Sequence, residues 1–207
     1  MKLRIMALAG LVYCLLANSC LSNRPQNKPA EPLALNLFVQ KVMDICRASL
    51  SAGRKELLSR QIARIATDRI TKRDHQEAFI LLLCIESKFQ ENAKSKAGAI
   101  GLAQILPKYA QSFAADCGIP KITPEDTQSV EVNLHVGACY FNTLLIQFNG
   151  NTVLALSGYN SGPGSQTTRK LGLLQEGHPE TGWYIAKITM LREMMDIENQ
   201  IPMKEEM

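Results

Sequence analysis

The 207-residue sequence has no C-x-x-C pair and no cluster of cysteine with histidine. That spacing is what a structural zinc site needs, so its absence argues against a metal centre. No run of residues alternates apolar and polar over a useful length, so nothing reads as a half-buried strand. Charge is modest in amount and balance: 20% of residues are charged and the net charge is +4. A mild excess of that size suits contact with an anionic polymer but is not a nucleic-acid signature. No cofactor-binding pattern is present, and none is expected. What remains is a chain 46% hydrophobic in one-letter composition, long enough to bury a single core and carrying helical periodicity throughout.

The front of the chain differs from the rest. Lys2 and Arg4 precede an apolar run from Ile5 to Ala17, followed by Asn18, Ser19 and Cys20. This reads as a secretory signal peptide over residues 1–19, too short and wrongly flanked for a spanning helix. Cleavage after Ser19 would leave Cys20 first in the mature chain, which suggests a lipid attachment site in an imperfect lipobox; plain secretion is the alternative. Residues 20–34, with three prolines between 22 and 32 and no apolar period, read as an extended tether. Residues 35–72 read as a helical extension, 73–200 as the main domain and 201–207 as a tail. Export places the protein in the bacterial cell envelope. There Cys46, Cys84, Cys117 and Cys139 allow three disulfide pairings that sequence alone does not separate.

Helices are expected from about Leu37 to Ser51, over Arg54–Thr71, from Asp74 through Lys88, from Pro107 to about Asp116, across the periodic stretch from Val130 to Phe148, over Val153–Ser157 and from Thr181 to Asn199. Arg60, Arg64 and Arg69 read as a solvated face of the second. A sharp loop is expected at Gly158–Gly164 because three glycines and a proline lie within seven residues. Tyr184, Trp183 and Met195 read as core.

The stretch from Ala78 to Gln104 carries the chemistry. Phe79 to Ile85 is continuously apolar and runs into Glu86 and Ser87, which delivers a carboxylate to the end of a buried segment. Apolar surroundings disfavour ionisation, so such a carboxyl can keep its proton near neutral pH and donate it. Gly98, Ala99 and Gly101 then make a small-residue turn before the amide of Gln104. These residues alone leave two readings open, a general acid facing a tight loop or an ordinary capped helix end.

Glu86-Ser87 with Phe89, SKAGAIGLAQ at 95–104 and Pro107 resemble the opening motifs of the lytic transglycosylase family with the soluble-transglycosylase-type domain, itself similar to goose-type lysozyme. NLHVG at 133–137 with Tyr140 resembles a second motif, ALSGYNSGPG at 155–164 a third, and Glu180, Thr181 and Tyr184–Ile188 a weaker fourth. Two departures stand out. Ala103 occupies a position where the family usually has Met, which would widen or loosen the cleft floor. Glu91 stands where the family often has Pro, a loop change of little consequence.

The resemblance implies a mainly α, lysozyme-like helical catalytic domain preceded by the helical extension. It also implies cleavage of the glycosidic bond between N-acetylmuramic acid and N-acetylglucosamine in peptidoglycan strands, with one glutamate acting as acid and then base. On the matching positions Glu86 would be that glutamate, and Tyr159 would hydrogen-bond near it. Ser87 would help hold the glutamate or the peptide-bearing sugar, Gln104 and Asn133 would contact substrate amides, and Asn160 would brace the loop. A hydrolytic muramidase and a noncatalytic glycan-binding protein are the alternatives.

Overall fold

The computed structural model describes residues 31–165, 168 and 179–200, with the side chains at both ends of this range and at a few positions in the last helix excepted. The signal peptide, Cys20 and the start of the tether lie outside the described residues, as do the tail and the side chains of Glu180, Trp183 and Met195.

Seven α-helices carry the described chain: α1 (Glu31–Ile45), α2 (Ala52–Arg69), α3 (Arg73–Ser87), α4 (Pro107–Ala115), α5 (Val130–Gln147), α6 (Thr152–Ser161) and α7 (Pro179–Gln200). A 3-10 turn at Glu125–Gln128 leads into α5. Among the described residues there are no strands, only isolated bridges of Ile100 with Lys94 and Ile105. No helix among them is long and apolar enough to cross a membrane.

Local chemistry sets most boundaries. Ser51 caps α2, its Oγ accepting from the Arg54 backbone N–H at 3.4 Å, and Pro107 opens α4 where a missing N–H costs nothing. Asn151 caps α6 through Oδ1, which accepts from the Leu154 N–H at 3.0 Å. Helix α1 begins at Glu31, inside the segment expected to be tether, because Leu35, Val39, Val42 and Met43 bury a helical stripe. The segment expected to loop from Gly158 is helical through Ser161 and breaks at Gly162, whose φ of +88° suits only glycine. Tyr159 and Asn160 are therefore helix residues.

Helix α3 is the centre. Ala78 to Cys84 are all buried, so the helix is enclosed on every side, and α1, α2, α6 and α7 pack around it. Helix α5 lies against α2, α4 and α6. The basic face of α2 is only partly solvated. Arg64 pairs with Glu131 of α5 at 2.6 Å, and Arg69 donates to His135 Nδ1 at 3.1 Å. Two disulfides resolve the open pairing, Cys46–Cys84 and Cys117–Cys139. The first joins the residue after α1 to the helix that bears Glu86.

Candidate active site

Glu86 ends α3 one residue before the helix stops. The chain then turns through two successive non-glycine residues in the left-handed region, Lys88 at φ +50° and Phe89 at φ +59°. Such backbone costs free energy and persists only where the surroundings fix it. Here the Lys88 N–H closes on the Cys84 carbonyl at 2.9 Å and the Phe89 ring is fully buried. Burying one aromatic side chain contributes roughly 1.5–3 kcal/mol, which offsets only part of a cost of about 1–3 kcal/mol for each left-handed residue.

The Glu86 side chain is half-buried. Removal from water lifts its carboxyl above the ordinary carboxylate range, and a single donor draws it partly back, the Tyr184 hydroxyl of α7 at 2.7 Å from Oε1. No second carboxylate contributes to its state among the described residues. Tyr184, expected to be simple core, is thus the partner of the acid. Ninety-eight residues separate the two. The one signal for it in the sequence was its place in the weak fourth motif.

Tyr159 lies within the field of the Glu86 charge without bonding to it. Its hydroxyl donates to the Ala103 carbonyl at 2.8 Å rather than to Glu86, because the third motif sits on a helix that aims the phenol at the glycine-rich segment. Burial holds its proton affinity well above the ordinary phenol value, and the nearby charge of Glu86 raises it further.

The segment from Ala93 to Ile105 folds as a tight double turn, with the Gly101 N–H on the Ala93 carbonyl at 2.9 Å and Ile100 and Ile105 exchanging both backbone bonds at 3.0 Å. Asn133 of α5 locks it from beneath. Its Oδ1 accepts from the Ala103 N–H at 2.8 Å, and its Nδ2 donates to the carbonyls of Ile100 at 3.0 Å and Thr127 at 3.2 Å. At 1% exposure Asn133 has no face left for a substrate amide, so it is a brace. Gly101, at φ +75°, lies so near that an added Cβ would stand 2.5 Å from the Asn133 side chain.

Ser87 is likewise turned inward, buried, its hydroxyl donating to the Leu83 carbonyl at 3.1 Å. Gln104 spends its amide hydrogens on the carbonyls of Gly101 and Ala93 at 2.9 and 3.3 Å. Ala103 does not form a cleft floor. It is fully buried, and its methyl occupies the space that a Cβ on Gly137 would need.

A groove of about 640 Å³ opens alongside this segment, lined by Gln104, Tyr109, Phe113, Tyr140, Tyr159 and Asn160 among others. Phe113 and Tyr140 stack with ring centroids 3.9 Å apart, and Tyr159 tilts against Tyr140 at 5.1 Å. A smaller groove of about 240 Å³ lies by Glu91, Asn92, Lys94 and Gln128. Glu86 lines neither groove. Its link to the larger one is Tyr159, whose ring lines the wall while its hydroxyl lies within the field of the Glu86 charge. Among the described residues no group of acidic, histidine or cysteine side chains could hold a metal ion.

The chain matches a known family model, that of the transglycosylase SLT domain, over residues 65–173, more than half of its length. The chain belongs to the SLT domain family. The match starts within α2, ahead of the boundary expected at residue 73. Soluble lytic murein transglycosylases are similar in sequence: that of Salmonella typhimurium is 34% identical over 84 residues, and that of Escherichia coli K12 is 33% identical over the same length. Each alignment covers 40% of this chain but 13% of the relative.

In structure, the lytic transglycosylase Slt of Pseudomonas aeruginosa, solved as an inactive glutamate-to-glutamine mutant, aligns at a TM-score of 0.55 with 26% identity. That alignment covers 66% of this chain and 24% of the other. The 70 kDa soluble lytic transglycosylase SLT70 of Escherichia coli aligns at 0.50 with 22% identity, over 78% of this chain and 28% of that one. The SLT domain therefore has the mainly α, lysozyme-like helical fold expected of it, on a chain that spans a small part of the length of these relatives.

Proposed function

We propose that this protein is a peptidoglycan lytic transglycosylase in which Glu86 serves as acid and then as base. The observation that carries the reading is the state of Glu86, a carboxyl lifted by burial, held by one tyrosine and unopposed by another acid among the described residues. Glycosidases that deliver water or a carboxylate nucleophile need a second acid at a set separation. A lone acid suits chemistry in which the substrate supplies the rest.

In that chemistry protonated Glu86 gives its proton to the glycosidic oxygen as the bond from C1 of the N-acetylmuramic acid breaks, and N-acetylglucosamine leaves with that proton as its 4-hydroxyl. The muramic acid's own acetamido oxygen bonds to C1 and takes up the positive charge. Glu86, now a carboxylate, removes the proton of the C6 hydroxyl, and that oxygen displaces the acetamido oxygen from C1. A 1,6-anhydro ring forms, Glu86 regains its proton, and no water is consumed. Raised proton affinity favours the first step, and the Tyr184 hydrogen bond stabilises the carboxylate between the two. The aromatic groove has the size and lining to take a sugar or stem-peptide segment, with Gln104 and Asn160 as polar contacts. Tyr159 serves as a second-rank group that couples this wall to the acid. Asn133 and Ser87 act through the scaffold.

The mature chain in this reading is exported to the periplasm by residues 1–19, attached by lipid at Cys20 and held off the membrane by a tether that ends where α1 begins. The mass of the mature N-terminal peptide tests this. For the activity, purified peptidoglycan is digested with wild type and with Glu86→Gln. The wild type is expected to release 1,6-anhydromuropeptides, lighter by one water than hydrolysis products, and the variant to lose roughly 10²–10⁴-fold in rate or more. Reducing-end products, or near-normal release by the variant, would overturn the assignment.

A further inference from the structure

The turn that carries Glu86 is held from outside the family match, at two points. Two residues before the acid, Cys84 is disulfide-bonded to Cys46 just beyond α1, with Cα atoms 6.1 Å apart. Five residues after it, Glu91 receives both arms of Arg54 from the first turn of α2, Nε to Oε1 and Nη2 to Oε2, each at 2.6 Å. Residues 46 and 54 both precede residue 65, where the family match begins. Between the two attachments lie the left-handed residues Lys88 and Phe89, a conformation that needs external support. The change at Glu91 expected to be inconsequential is thus one half of a bidentate ion pair.

We propose that α1 and the start of α2 clamp the Glu86 turn, with Arg54, Glu91 and the Cys46–Cys84 bridge as positioning residues that set how deeply the carboxyl sits against Tyr184. This rests on Glu86 being the acid. A partly exposed pair such as Arg54–Glu91 adds little to global stability, whereas a paired planar guanidinium and carboxylate fixes geometry in two directions. Small displacements of a catalytic group are costly in rate, so the clamp's effect falls on the acid rather than on the fold. The titratable groups facing Glu86 among the described residues are Tyr184 of α7 and Tyr159 of α6. Neither belongs to the clamp.

The test is a charge-swap series in the full chain: Arg54→Glu, Glu91→Arg and the double variant, each measured for peptidoglycan release, thermal midpoint and the titration of the Glu86 carboxyl by carbon-13 NMR. Each single variant is expected to lower kcat roughly tenfold with KM little changed, and to move the Glu86 titration down toward an ordinary carboxylate as water reaches it. The double variant is expected to restore both. Replacing Cys46 and Cys84 with alanine should move the titration in the same direction. Wild-type titration and kcat in both single variants would overturn the clamp, as would a double variant that recovers neither. Because the titration is read without turnover, the clamp can fail or stand independently of whether Glu86→Gln abolishes lysis.

Discussion

Two neighbouring regions of this molecule treat polar groups in opposite ways. In the segment from Ala93 to Ile105 the backbone bonds across its own turns, and Asn133 supplies two further bonds from α5 while tying the segment to Thr127 with a third. Glu86, a short distance along the chain, has one donor and is largely removed from water. A fully satisfied segment is rigid because any shift breaks several bonds at once. A carboxyl with one bond and little water has its protonation poised by few contacts, which is the condition for giving and taking a proton. The glycine-rich turn is the frame and the acid is the group whose protonation changes, although both belong to the opening motifs.

The contrast can be broken most severely from the frame. Asn133→Ala would strand the Ala103 N–H and the Thr127 carbonyl, while the Ile100 carbonyl keeps its bond from the Ile105 N–H. At about 1–3 kcal/mol for each buried group left unsatisfied, a loss of roughly 2 kcal/mol or more is expected in denaturant unfolding, with activity falling in parallel. Gly101→Ala should cost a comparable amount, because the new methyl meets Asn133 and the backbone stays at φ +75°.

A smaller effect is expected on the acid's side. Tyr184→Phe removes the one bond that lowers the carboxyl's proton affinity, so the pH limb governed by Glu86 should move upward and kcat fall roughly tenfold. Tyr159→Phe should move that limb less, since its hydroxyl is bonded to Ala103. Equal shifts in the two variants would erase the distinction between them.

The smallest effect is on stability. A carboxyl whose proton affinity is raised by folding binds more protons in the native than in the unfolded state, so its contribution to stability falls as pH rises from the unfolded value toward the folded one. Glu86→Gln removes that penalty. The variant should be more stable than wild type at neutral pH by on the order of 0.5–2 kcal/mol. The gain should disappear in acid, below the unfolded carboxylate pKa of about 4.3. Thermal unfolding at the two pH values checks this.

Much of the architecture was legible in advance. Spacings of three and four among Leu58, Ile62, Ile65 and Ala66 locate α2, and the apolar run into Glu86 puts a carboxyl at the end of a buried helix. The loop expected at Gly158 fails for a local reason: Leu154, Ala155 and Leu156 have a good cap at Asn151, and the helix continues until Gly162. Asn133 looked like a substrate contact because a motif fixes identity without direction. Only the packing of α5 under the glycine turn shows that its amide faces inward.

Periodicity, caps and the apolar run are relations between residues a few positions apart, and those the chain decided by itself: the helices, most of their limits and a carboxyl at the end of a buried one. Tyrosine 184 as the partner of Glu86, the pairing of Cys46 with Cys84 and the grip of Arg54 on Glu91 join residues 98, 38 and 37 positions apart. Contacts at that separation depend on how helices stack, and many pairings satisfy the same local pattern. The tertiary structure selects one because α3 is enclosed on all sides when α1, α2, α6 and α7 close around it.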